Sequence, residues 1–216
     1  MGFGIAFSGG GVRGAAHVGV LCALEEERLF PSAVSGTSAG SIVAGLYALG
    51  VTGREMRAQV EKLAREGEKL ADPDYPAIAG SLLELLTGKP AGLSGLLKGR
   101  RLTEYLKALT GGKNISQLSV RTVITAVDLR SRKTIAYTSD LKGVKPMRNV
   151  VWKTDVPLYT AMRASCAVPA LFEPVETDDG MCLVDGGVTD VVPVDILIAA
   201  GVKDVLGVDV SDNAPL

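Results

Sequence analysis

The chain has 216 residues, 23 Lys and Arg against 24 Asp and Glu for a net charge of −1, and 47% hydrophobic content. That is enough apolar material for one well-filled core, and the near-neutral balance supplies no long-range field for collecting nucleic acid. Cys22, Cys166 and Cys182 are odd in number and lie in apolar surroundings, which points to buried thiols rather than a disulfide framework, and no Cys/His cluster has metal-ligand spacing.

Residues 3–8 read as a buried strand that runs into three successive glycines, and 14–29 as a helix with Val18, Leu21, Leu24 and Leu29 on one side. "SAVSG" at 32–36 is a second short strand, followed by a nearly all-apolar helix over 38–49 that Gly50 closes. Thr52, with Glu55 three residues on, predicts a capping box for a polar helix over 53–69, whose core stripe is Met56, Val60 and Leu63. From 72 to 112 the pattern loosens into short Leu-rich turns with prolines, glycines and a Lys98, Arg100 and Arg101 cluster, so this segment is expected to be irregular. "RTVITAVDL" and "TIAYTS" predict a hairpin joined by "RSRK". Residues 155–175 read as a helix up to Pro169, "MCLVDGG" as a strand ending in glycines, "VDILIAAG" as a helix and "VLGVDVS" as a last strand. Strands alternating with helices predict one α/β domain over 1–216, with a mostly parallel core sheet and some antiparallel pairing.

The chemistry starts at "GTSAG", residues 36–40, a G-x-S-x-G between a strand and an apolar helix. In that context Gly36 and Gly40 allow a tight turn and close packing, and Ser38 is lifted onto a helix N-terminus as a nucleophile; the plainer alternative is a serine helix cap. The usual Ser–Asp–His order is excluded, because His17 is the only histidine and precedes Ser38. His17 is expected to be a helix residue satisfied by a backbone carbonyl, with a direct catalytic role as the alternative. A carboxylate must then take the serine proton. An exposed Asp, with a pKa near 4, is a weak base, and burial would strengthen it. Asp185 in "LVDGG", Asp128 in "AVDLR" and Asp209 in "GVDVS" share a local context. Asp185 ranks slightly ahead, because an apolar strand carries it to a C-terminal edge where Gly186 and Gly187 turn the chain away.

An ester intermediate also needs backbone donors for its oxyanion, and Gly9, Gly10 and Gly11 at a strand-to-helix turn can present them, with Arg13 adding charge or anchoring the loop. Gly9, Gly11 and Gly14 also spell G-x-G-x-x-G, so nucleotide binding is the competing reading. It requires a ribose-binding acid about 20 residues on. That place holds "SGTSAG", and Glu25, Glu26 and Glu27 fall within the first helix.

"GGGVRG" at 9–14, "GTSAG" at 36–40, "RASCAVPALFEPV" at 163–175 and "DGG" at 185–187, in this order over about residues 4–210, resemble the patatin-like phospholipase family. The resemblance implies a three-layer α/β fold with a mostly parallel central sheet, related to the α/β-hydrolases. It implies a Ser–Asp dyad without histidine: Ser38 as nucleophile, Asp185 as base and then acid in preference to its rivals, and the 9–14 backbone as oxyanion hole. It implies action on acyl esters of lipids, such as phospholipids, lysophospholipids or acylglycerols, with no obligatory cofactor; an acyltransferase on the same dyad and a non-catalytic lipid-binding module are the alternatives. Residues 72–112 carry no motif of the family, which often uses this region to shape and cover the acyl pocket. The Leu-rich stretch 82–97, flanked by Lys89, Lys98, Arg100 and Arg101, either rests on an anionic lipid surface over the pocket or forms short core helices with solvated basic ends. No signal-peptide pattern opens the chain and no apolar run reaches about 18 residues, so a cytoplasmic protein, soluble or peripheral to a membrane, is expected.

Overall fold

The computed structural model describes residues 2–66 and 97–211. Four short strands, β1 (Gly4–Phe7), β2 (Ala33–Gly36), β8 (Val205–Val208) and the longer β3 (Arg121–Asp128), lie parallel in the order β3-β2-β1-β8. Parallel strands need crossovers. Here β1 reaches β2 through α1 (Ala15–Glu26), and α2 (Ala39–Ala48), α3 (Gly53–Glu66) and α4 (Arg100–Thr110) lie between β2 and β3. The predicted hairpin is present, β3 pairing antiparallel with β4 (Lys133–Thr138), and β5 (Val150–Lys153) extends the sheet beyond it. After α5 (Leu158–Ser165) come β6 (Val175–Glu176), β7 (Cys182–Asp185) and α6 (Val194–Ala199).

Side chains alternate across the sheet with period two. Ile5, Phe7, Val34, Ile124, Ala126, Ile135 and Tyr137 pack among the helices α1 to α5. Ala33, Val123 and Ala136 point the other way, onto Ile196, Leu197 and Ala200 at α6. The result is the expected three layers around a mixed, mainly parallel sheet.

The most consequential pairing lies along β3. On one flank, β2 covers Arg121–Ile124 and β7 covers Ala126–Asp128, β2 running with β3 and β7 against it. The C-terminal ends of β2 and β7 therefore point at one another, Gly36 opposite Ile124 and Asp185 opposite Ala126, with Thr125 between. Asp185 thus arrives from the opposite direction to the parallel strands and meets the C-terminal end of β2, so the expected placement at a C-terminal edge is reached by an antiparallel strand.

Local rules explain where element ends agree and differ. The capping box of α3 is present: Thr52 donates its N–H and hydroxyl to Glu55 Oε2, each at 2.8 Å, and Glu55 N–H returns to Thr52 Oγ1 at 3.3 Å. The first helix ends at Glu26 rather than 29. Arg28 takes φ 57°, and the N–H groups of Arg28 and Leu29 close on the carbonyls of Glu25 and Leu24, a Schellman stop without glycine that leaves Leu29 exposed. Most of 72–112 lies outside the described residues. Residues 100–110 correct the expectation of irregularity: they form α4, which buries Leu106 against α5 and ends at left-handed Gly111. Arg100 and Arg101 stand exposed on its first turn. α5 stops at Ser165, with Cys166 as its C-cap, short of the predicted end at Pro169.

Gly186 is closely packed at the β2–β7 junction: a Cβ there would lie 2.5 Å from Thr125 Oγ1 and 2.6 Å from Thr125 O. Gly186→Ala is expected to lower the unfolding free energy by about 2 kcal/mol or more, read as a lower midpoint in urea. An unchanged midpoint would mean that the junction is not closely packed.

Candidate active site

Ser38 lies between β2 and α2 with φ 52° and ψ −125°, a conformation that costs a residue with a side chain about 1–3 kcal/mol. The glycines on either side let the chain pack closely at this turn. A Cβ on Gly36 would lie 2.2 Å from Gly40 O, and one on Gly40 would lie 2.4 Å from Phe7 O. Hydrogen bonds fix both peptide groups around the serine. Ser38 N–H donates to Ser165 Oγ at 2.9 Å, while Ser38 O accepts from the Ser41 hydroxyl at 2.6 Å and from its N–H at 2.9 Å. Thr37 N–H donates to Phe7 O, and Thr37 Oγ1 donates to Asp190 O at 3.1 Å while accepting from Thr125 Oγ1 at 2.8 Å. The Ser38 side chain makes no capping bond to α2, so the plain helix-cap alternative does not describe it.

Facing Ser38 is Asp185, only 5% exposed. Its Oδ1 accepts from Gly187 N–H at 2.7 Å, and its Oδ2 is buried with no aligned partner among the described residues. Burial raises this carboxyl above its ordinary value, against the opposing pull of the Ser38 hydroxyl and the Gly187 N–H. The rivals are differently engaged. Asp128 accepts from the N–H groups of Arg130, Ser131 and Cys182 and from the Ser131 hydroxyl. Burial pushes it up, but these bonds outweigh burial and bring it down to about 2, the value of a structural carboxylate. Asp209 is exposed and accepts from Ser211 N–H.

The glycine loop divides its work. Gly9 N–H is bonded to Val191 O at 3.0 Å, so it is not available to an oxyanion, contrary to its expected place among the donors. Among the described residues the N–H groups of Gly10 and Gly11 have no partner. Gly11 holds φ 55°, and a Cβ on Gly10 would lie 2.9 Å from Val210 Cγ2. Gly14 serves packing, since a Cβ there would come within 2.5 Å of Ala39 Cβ and separate the starts of α1 and α2. Arg13 is exposed, and its N–H donates to Gly10 O. His17, fully buried, bonds Ser8 O through Nε2 at 2.9 Å, as expected for a helix residue satisfied by a carbonyl.

Sequence reasoning missed Ser165, Thr125 and Thr37. Ser165 was within reach, inside "RASCAVPALFEPV", but a serine in a helical stretch carries no sign of its distant partner.

A family model described as patatin-like phospholipase matches residues 5–198. The chain belongs to the patatin-like phospholipase family. Within it, the chain is 33% identical over 213 residues to the uncharacterized protein YqhO of Bacillus subtilis, covering 94% of this chain and 69% of that one. It is 29% identical to the uncharacterized NTE family protein Rv1063c of Mycobacterium tuberculosis, covering 97% of this chain and 48% of that one. It is also 29% identical to the lysophospholipase NTE1 of Mycosarcoma maydis, of which it spans 10%. The patatin-like chain shares its fold with VipD from Legionella pneumophila at a TM-score of 0.56 and 17% identity, covering 88% of this chain and 46% of that one.

Asp128 offers a clean stability test. Its depressed value adds stability above the unfolded value near 4 that is lost as pH falls toward about 2. Asp128→Asn is expected to cost on the order of 2 kcal/mol at neutral pH and to flatten the acid limb between those values in denaturation midpoints measured against pH. An acid limb identical to wild type would remove Asp128 from this role.

Proposed function

We propose that this patatin-like chain is a serine acyl-hydrolase acting on carboxylic esters of lipids through Ser38 and Asp185. The observation that carries the reading is a serine held at an unfavourable φ directly opposite a buried carboxyl of raised proton affinity. Asp185 takes the Ser38 proton as Oγ attacks the ester carbonyl, and the N–H groups of Gly10 and Gly11 receive the charge that develops on oxygen. The tetrahedral intermediate collapses by breaking the carbon–oxygen bond to the leaving alcohol, which receives its proton from Asp185. Water, deprotonated by Asp185, then attacks the acyl-enzyme carbonyl; the bond from the acyl carbon to Ser38 Oγ breaks, Asp185 returns its proton to Oγ, and the fatty acid leaves. Burial serves both proton transfers by bringing the carboxyl nearer to the operating pH.

Three exposed apolar side chains support a lipid substrate and peripheral contact with a lipid surface. Val12 stands on the glycine loop, Leu171 on the segment after α5 and Val188 just beyond Asp185. They stand on the segments that lead into or away from the candidate residues. Family membership and the lysophospholipase name carried by one relative support the ester class.

Ser38→Ala and Asp185→Asn are each expected to lower hydrolysis of a short-chain nitrophenyl ester and of a lysophospholipid by on the order of 10³-fold or more. Ser38→Ala should also abolish labelling by a fluorophosphonate. Wild-type labelling and turnover in Ser38→Ala would defeat the reading. In the wild type, kcat/KM should fall as pH drops through the raised value of Asp185, because only the carboxylate can accept the serine proton. A profile flat across acid pH would contradict Asp185 as the base.

A further inference from the structure

We infer that His17, the single histidine of the chain, is a positioning residue for the glycine loop, donating from Nε2 to the Ser8 carbonyl and so setting the direction of the Gly10 and Gly11 N–H groups. The inference rests on the acyl-hydrolase reading. His17 lies in the first turn of α1, just beyond the loop, and reaches back nine residues to the end of β1. The acceptor is a carbonyl, so Nε2 must carry the proton. Nδ1 is buried with no partner among the described residues, which leaves no acceptor for a second proton. Burial lowers the affinity of the ring for that proton, and the pull of Asp209 does not reverse this. The ring is held by Phe7, with centroids 5.1 Å apart and planes at 57°. Neither nitrogen bonds Ser38, so the ring acts through the loop.

The Ser8 bond completes a closed set. Ser8 N–H donates to Val208 O at 3.0 Å. Its hydroxyl donates to Gly9 O at 2.7 Å and accepts from Val210 N–H at 2.9 Å. Gly9 N–H donates to Val191 O at 3.0 Å. With His17 on the Ser8 carbonyl, the backbone polar groups of Ser8 and Gly9 are all engaged. The first two N–H groups left for a ligand are those of Gly10 and Gly11. β1 and its neighbours hold the upstream side of this turn, and His17 ties it to the helix that follows. Removing the imidazole donor leaves the Ser8–Gly9 peptide held only through Gly9 N–H, so it can tilt about that bond and carry the next two N–H groups with it. Because an oxyanion exists only along the reaction path, the loss falls on kcat and spares KM.

The test uses His17→Phe, which keeps the ring volume against Phe7 without a donor, His17→Gln, whose side-chain amide can place an N–H near the Nε2 position, and Val18→Ala as a core control on the same helix. His17→Phe is expected to reduce kcat for the nitrophenyl ester, and the rate of fluorophosphonate labelling, by about 10- to 100-fold with KM within about twofold. His17→Gln should recover most of that loss, and Val18→Ala should lower the melting temperature while keeping kcat. In wild-type protein with ¹⁵N-labelled histidine, the single imidazole should report the Nε2–H tautomer at about pH 8, above the ordinary histidine value. A wild-type kcat in His17→Phe, no recovery in His17→Gln, or an Nδ1–H tautomer in the spectrum each overturns the inference. The spectrum needs no variant to fold. Ser38→Ala run alongside separates the two readings: full activity there overturns the hydrolase reading, whereas an inactive Ser38→Ala beside a fully active His17→Phe overturns only the role of His17.

Discussion

Two strands of opposite direction share one flank of β3, and the rest of the site follows from that constraint. β2 ends opposite Ile124 and β7 opposite Ala126, so both chains must leave the sheet plane within the width of Thr125. A side chain at Gly186 would strike Thr125, and one at Gly36 would strike the carbonyl of Gly40. The hydroxyls of Thr125 and Thr37 bridge the gap at 2.8 Å. Because the junction lies inside the sheet rather than at its edge, the carboxyl at the end of β7 is buried and its affinity for a proton rises. Asp209, beyond the end of β8, follows an equally apolar strand and remains in water.

The site contains strain at one residue and hydrogen bonds around it. Ser38 keeps its unfavourable φ in a frame supplied by segments far apart in the chain: Phe7 from β1 and Ser165 from α5 accept from the Thr37 and Ser38 N–H groups, and Asp190 from the turn after β7 accepts from the Thr37 hydroxyl. Buried polar groups in folded proteins are nearly always satisfied, and most groups here conform. Among the described residues the buried exceptions include Asp185 Oδ2, which faces Ser38, and His17 Nδ1 and Trp152 Nε1 on other elements.

Much of the fold was legible in local pattern. The capping box at Thr52 and Glu55 and the hairpin around "RSRK" depend on neighbours within a few residues, and both are present. The end of α1 was not legible, because its stop uses Arg28 in a conformation usually left to glycine. β5 was missed because its four half-buried residues show no period, and α4 because its capping glycines lie in a glycine-rich stretch that reads as loop.

The residue types of the site are determined by the sequence alone: one histidine placed too early for a triad, a serine between glycines, a glycine run after a strand and three aspartates of like context. These follow from composition and short spacing, and they narrow the chemistry before any fold is known. Which aspartate meets the serine, which glycine N–H remains unbonded and which distant serine supports the elbow were decided only by tertiary structure. Each depends on strand register and direction, and these place Ala126 opposite Asp185 and Val191 against Gly9 although neither pair is near in the chain. Burial and hydrogen-bond partners, which set proton affinity and donor availability, are properties of that register rather than of the local letters.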